Sequence, residues 1–222
     1  KSLNGANQMI AYIQKWPPNI ASIIEHANQF HPNTEVVSRM VSGNIHKTNY
    51  SEVCTRSRKL ASALEKDGYK KGDVIATLAL NTYRHLEMYY GISGMGGINH
   101  TLNFRLHPEQ AVYIINHAED KVIFCETPFI PILEGLQENL ECVEKYIILC
   151  DASEMPDTKL KNAISYEEYI KDGDENYEWP ALADDAACAL CYTSGTTGNP
   201  KGVLYSHKSN ILHAQALSLI HI

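Results

Sequence analysis

The sequence predicts an α/β fold, a mostly parallel sheet with helices on both faces. Three observations lead there. Short apolar runs, Val74–Leu80, Val122–Cys125 and Tyr146–Leu149, read as buried strands. Stretches of helical period separate them, the alternation that builds parallel sheets through right-handed crossovers. The composition is 44% hydrophobic and 20% charged over 222 residues, ordinary for a globular protein with a substantial core.

The elements follow in order. Asn19 is placed to cap a helix whose apolar positions are Ile20, Ile23, Ile24, Ala27 and Phe30. Two short strands, Glu35–Met40 and Ile45–Lys47, flank Val41-Ser42-Gly43-Asn44, a hairpin turn. Asn49 and Glu52 have capping-box spacing and open a helix that runs to Asp67 and stops at Gly68. Its buried side is Val53, Leu60, Ala63 and Leu64. After strand Val74–Leu80 comes a helix, Tyr83–Met95, broken by Gly94, Gly96 and Gly97. Within it, His85 and Glu87 lack a third metal ligand and read as helix surface. An extended piece, Ile98–Leu102, leads to a helix after Pro108. Strand Val122–Cys125, a helix near Ile132–Leu140 and strand Tyr146–Leu149 complete the body, set at residues 1–166. The acidic tract that follows, 167–186, contains Gly173 and Pro180 and lacks helical period, so it reads as a solvated linker rather than a cation site. Residues 187–222 carry a strand, a glycine-rich loop, a second strand and the start of a helix.

Charge and cysteine usage exclude several classes. Nineteen Lys+Arg against 26 Asp+Glu leave a net charge of −7, with no basic stripe for nucleic acid or for an anionic membrane surface. No apolar run approaches the ~20 residues that cross a bilayer. The N-terminus has neither a signal-peptide core nor an initiator Met, so residues upstream are expected. The six cysteines show no framework spacing. Cys188 and Cys191 form a C-x-x-C, but they lie in an apolar strand where residues three apart face opposite ways. Reduced, buried thiols in a cytoplasmic chain are the expectation.

The chemistry concentrates in YTSGTTGNPKG, Tyr192 to Gly202. Four hydroxyls, Thr193, Ser194, Thr196 and Thr197, stand within five positions, with Gly195, Gly198 and Lys201 beside them. The common phosphate loop, G-x-x-x-x-G-K followed by Ser or Thr, fails at two places. Counted from Gly195, Pro200 replaces the second glycine, and Gly202 replaces the magnesium-binding hydroxyl. Strand Ala187–Tyr192 precedes the loop, the β-prone Val203–Tyr205 follows it, and a helix starts only near Ser206. Such a loop, lying between two strands, must hold phosphate with its own backbone N–H groups, its hydroxyls and Lys201, without a helix N-terminus.

TSGTTGNPKG with Tyr192 before it resembles the signature loop of the adenylate-forming superfamily, which includes acyl-CoA synthetases, luciferases and peptide-synthetase adenylation domains. KKGDVIATLALNT resembles the family's segment before its first large helix. GMGGINHTLNFRLHPEQAVYIINHAEDKVIF and SHKSNILHA are similar to the fatty acyl-CoA ligase subgroup. The resemblance implies the first part of the family's large N-terminal domain. It also implies two half-reactions: a fatty acid attacks the α-phosphate of Mg²⁺-bound ATP and releases pyrophosphate, and CoA then displaces AMP. Thr193, Ser194, Gly195, Thr196, Thr197 and Gly198 then match the phosphate-holding loop. Lys201 matches its lysine, touching phosphate or pinning the loop. His207 falls at the family's histidine after the loop, or caps the next helix, or packs beneath the loop. His100, Asn103 and Arg105 are expected to be structural. The family's adenine and acyl sites, magnesium carboxylate, ribose aspartate and adenylation lysine lie downstream, so the chain is expected to be a fragment without ligase activity, its open sheet edge able to pair with a second copy. An amino-acid-activating adenylation domain carries the same loop, and a non-catalytic interaction domain could retain the fold.

Overall fold

A computed structural model describes residues 18–193 and 199–221. Helix α1, Ile20–Phe30, starts where Asn19 is extended and its side chain accepts a 3.0 Å hydrogen bond from the Ser22 amide. Strands β1 (Glu35–Arg39) and β2 (Ile45–Asn49) pair antiparallel, and Gly43 takes the left-handed conformation their turn needs, φ 87°. Helix α2, Tyr50–Lys66, is capped by Asn49, whose side chain accepts from the Glu52 amide at 2.9 Å.

The main sheet begins with β3 (Val74–Leu78), followed by α3 (Tyr83–Gly94) and β4 (Ile98–Thr101). Helix α4 (Pro108–Ala118), β5 (Val122–Cys125), α5 (Ile130–Leu136), β6 (Lys145–Ile148) and β7 (Ala163–Ser165) come next. Helix α6 (Tyr166–Ile170), β8 (Ala187–Thr193), β9 (Lys201–Ser206) and α7 (His207–His221) end the series. Seven of these strands lie in the order β7-β6-β5-β3-β4-β8-β9. Every pairing is parallel except β8 with β9.

Strand alternation sorts the core into two layers. Ile75 faces Leu60 and Leu64 of α2, Met88 and Ile92 of α3, and Tyr166 and Ile170 of α6. Its neighbour Ala76 faces the other way, toward Ile114 and Ile115 of α4 and Ile130 and Leu133 of α5. The expected mostly parallel sheet with helices on both faces is therefore the observed one.

Two expectations need correction. The acidic tract is folded onto the body rather than a free linker, though most of its carboxylates face solvent as expected. Its first residues form α6, whose Ser165 cap accepts from the Glu168 amide at 3.3 Å. Further on, Trp179 Nε1–H donates to Glu25 at 2.7 Å, and Lys66 Nζ donates to the Asp172 carbonyl at 2.8 Å. Gly173 packs so close to the Lys59 backbone that a Cβ would come within 2.2 Å of its oxygen. Glu87 is likewise no surface residue. It is wholly buried, 2.7 Å from Arg56 Nε and 2.8 Å from the Tyr166 hydroxyl that donates to it. A charge brought inside is held by an opposite charge and a donor.

Candidate functional site

The site is built on β8. Its Cys188, Ala189 and Leu190 are buried, and it pairs with β4 through Asn99↔Ala189 and His100↔Leu190. Because β8 runs parallel to β4, its end joins the carboxyl edge of the sheet. There β3 sends its chain to α3 on one face, while its neighbours β4 and β5 send theirs to α4 and α5 on the other. Such a divergence of connections is where open α/β sheets bind ligands.

The chain then turns back. Strand β9 pairs antiparallel with β8, with Tyr192↔Gly202 and Thr193↔Lys201 as the last pairs before the loop. The connection is thus a hairpin, and the next helix begins only at His207, after β9. Thr193 and Lys201 are brought together at the hairpin mouth, both exposed, with the Thr193 hydroxyl 3.5 Å from the Lys201 carbonyl it donates to. Lys201 takes part in no ion pair among the described residues. Ser194, Gly195, Thr196, Thr197 and Gly198 lie outside the described residues. Gly202 stands where a Walker loop has its magnesium-binding hydroxyl. A Cβ there would meet Leu190 Cδ1 at 3.1 Å and Tyr192 Cζ at 3.2 Å. No group of three or more His, Cys, Asp or Glu among the described residues is placed to hold a metal ion.

His100, Asn103 and Arg105, expected to be structural, make contacts within the protein. His100 is wholly buried with Nδ1 2.7 Å from Asp120, also wholly buried. Burial pushes the Asp120 carboxyl up, and the His100 contact partly offsets it. The Asn103 side chain accepts from the Arg105 amide at 3.0 Å, and the Arg105 guanidinium lies over the Phe104 ring. His207 is the buried first residue of α7, and its Nδ1 accepts from the Ile20 amide at 3.2 Å. All six cysteines are free, with Cys188 buried and Cys191 half-buried.

Two carboxylates at the carboxyl edge escaped the sequence reading. Glu126, just past β5, is buried beside Thr82, and burial lifts its pKa to about 7. Glu167 on α6 takes both terminal nitrogens of Arg56 at 2.9 Å and Arg84 Nε at 3.0 Å. The only sequence signal for the second was Ser165 three positions before Glu168, a capping-box spacing that starts α6.

Sheet order and the β8–β9 hairpin define an open α/β protein with its candidate site at the carboxyl edge of a mostly parallel sheet. Residues 24–221 match the AMP-binding enzyme family, and the chain belongs to it. The chain is 46% identical to the medium-chain-fatty-acid–CoA ligase of Ectopseudomonas oleovorans, over 90% of its own length and 37% of that protein's. It is 42% identical to the 3-methylmercaptopropionyl-CoA ligase of Ruegeria pomeroyi, over 93% and 38%. Among solved structures, it superposes on the anthranilate CoA ligase AuaEII in complex with anthranoyl-AMP with a TM-score of 0.79 at 24% identity, covering 89% of this chain and 36% of that one. The chain thus spans less than two fifths of these relatives' length. No helix among the described residues is long and apolar enough to cross a membrane.

Proposed function

We propose that this chain supplies the leaving-group end of the active site of an ATP-dependent fatty acyl-CoA ligase. The observation that carries the reading is the hydroxyl- and glycine-rich loop hung between two antiparallel strands at the carboxyl edge of a parallel sheet. A Walker loop aims a helix N-terminus at the phosphates. Here the donors are instead the loop's backbone N–H groups, the hydroxyls of Thr193, Ser194, Thr196 and Thr197, and Lys201 at its exit, with Gly195 and Gly198 permitting close approach.

These groups suit the β- and γ-phosphates of ATP. In adenylate formation a carboxylate oxygen attacks the α-phosphorus and the bond to the β-phosphate oxygen breaks, so negative charge grows on departing pyrophosphate. Donors already placed there stabilise that charge without reorganising. Mg²⁺ bound to the phosphates would neutralise part of the same charge. The described residues offer it no ligand set, and Gly202 offers no hydroxyl. CoA then takes the acyl group from AMP as a thioester.

The substrates are small molecules: a fatty acid, ATP and CoA. The CoA-ligase names of the relatives support this branch over amino-acid activation or a purely structural role. Free cysteines fit a cytoplasmic enzyme. The test is fatty-acid-dependent exchange of labelled pyrophosphate into ATP by the full-length protein that contains this sequence. Exchange supports the reading, and release of ADP with orthophosphate overturns it.

A further inference from the structure

One side chain ties three elements of the fold to the mouth of the hairpin. Tyr192 immediately precedes Thr193, and its hydroxyl lies 2.6 Å from Nδ1 of His117 in the last turn of α4. The two rings meet edge-on with centroids 5.8 Å apart, and His117 is stacked on Tyr113 of the same helix at 5.3 Å. The His100 ring of β4, itself fixed by Asp120, is 5.2 Å from the Tyr192 ring. Across the hairpin Tyr192 pairs with Gly202, and the short distances to a Cβ built there show that the ring fits because its partner lacks one. Burial raises the pKa of the Tyr192 phenol, so it keeps its proton through the neutral range.

We propose that Tyr192 is a positioning residue: clasped by His117 and seated over Gly202, it fixes where Thr193 and Lys201 stand at the sheet edge and so aims Lys201 at a polyphosphate. The inference rests on the ligase reading and deepens it. Tyr192 makes no phosphate contact itself; it acts through Lys201. A tyrosine that only filled space would tolerate phenylalanine, which keeps the ring over Gly202 and beside His100 and loses the hydroxyl alone.

The test uses the full-length protein and pyrophosphate exchange. Y192F is expected to raise KM for ATP roughly three- to tenfold, the range one lost hydrogen bond covers, with KM for the carboxylate unchanged. H117L should do the same, and the double variant should be no worse than either single one, since both remove one interaction. H117N, which keeps a hydrogen-bonding group near the Nδ1 position, should restore most of the loss. Amide hydrogen exchange gives a readout apart from activity. In Y192F it should quicken in Thr193 and Lys201–Val203 while β3 and β5 keep their protection. An unchanged KM for ATP, additive losses in the double variant, or unaltered amide exchange at the hairpin mouth overturns the proposal. Absence of pyrophosphate exchange in the wild type would sink the ligase reading alone, and the amide exchange would still decide whether Tyr192 holds the hairpin.

Discussion

The Ile20 amide donates to His207 Nδ1 at 3.2 Å, joining the start of α1 to the start of α7 across 187 positions of sequence. His207 must be neutral at Nδ1 to accept, and burial holds its pKa below the ordinary imidazole value of 6.5. The folded protein therefore binds fewer protons here than the unfolded chain. The contribution to stability is present above the unfolded value and lost as pH falls through the folded one. Glu87 and Glu126, lifted by burial to about 7, slope the other way, because their stabilisation is lost as pH rises through that value. Comparison with H207N, which can accept the same bond without titrating, isolates the histidine. Urea unfolding at about pH 7.5 and 5.5 should show the wild type losing more stability than H207N on acidification.

Arg56 joins Glu87, which is wholly buried, to Glu167, which is a quarter exposed. R56M would leave Glu87 buried without a cation, while Glu167 keeps Arg84 at 3.0 Å. Breaking a buried pair costs about 3–5 kcal/mol, and the low end is expected because Arg56 is itself a quarter exposed. The loss should shrink in acid, where Glu87 can take a proton and become neutral. Urea unfolding of R56M across pH reads both effects, and a loss independent of pH would contradict the assignment.

Gly173 is where the backbone of the acidic tract comes against the backbone of α2. In G173A the new methyl would meet the Lys59 backbone, which cannot swing aside as a side chain does. The tract should lift locally, at a cost of about 1–3 kcal/mol. Limited proteolysis should then cut within 171–186 sooner than in the wild type, with β3 to β6 still protected. An unaltered cleavage pattern would mean the contact carries no load.

Lys201 is exposed at the hairpin mouth. K201A should change stability by no more than ~0.5 kcal/mol, as surface substitutions do. In the full-length protein it should weaken nucleotide binding or turnover by roughly 1.5–3 kcal/mol, the value of a charge-assisted hydrogen bond. Unchanged kinetics would leave the lysine as a strap on the hairpin and nothing more.

The 222-residue chain alone should show no thioester formation from fatty acid, ATP and CoA. Catalysis by positioning needs several groups around one phosphorus, and only the leaving-group end is assigned here. Among the described residues β9 has no neighbour on its outer side, and Val203, Leu204 and Tyr205 are exposed on it. Self-association through that edge is expected and is read by sedimentation. Turnover by the isolated chain would place the active site elsewhere.

What was legible in the sequence was local. Asn19 and Asn49 cap as their spacing indicates, and Val122–Cys125 is a strand with the expected bounds, because each signal lies within a few residues. Strand β7 and helix α6 were missed. Three residues of strand and five of helix are too short for a period to show, and the acidic composition masked the Ser165–Glu168 cap. Glu87 was misread because the residues that make its burial tolerable, Arg56 and Tyr166, lie 31 and 79 positions away. At the site, the hairpin could be read from the β-prone residues after the loop. The Tyr192–His117 contact could not, since nothing local joins positions 75 apart.

Strand β8 lies beside β4, and Ser93 Oγ donates to the Cys188 carbonyl across 95 positions. The strands from β3 to β7 find their partners much closer in the chain, so that half of the sheet can zip up while β4 still has one bare side. Ribosomal synthesis exposes the two halves in that sequence, and loop-closure entropy makes the distant pairing the slow one. The hairpin that carries the glycine-rich loop thus docks after the β3–β7 part of the sheet has paired, and until it docks the bare side of β4 leaves the growing chain open to misassembly and to chaperone capture.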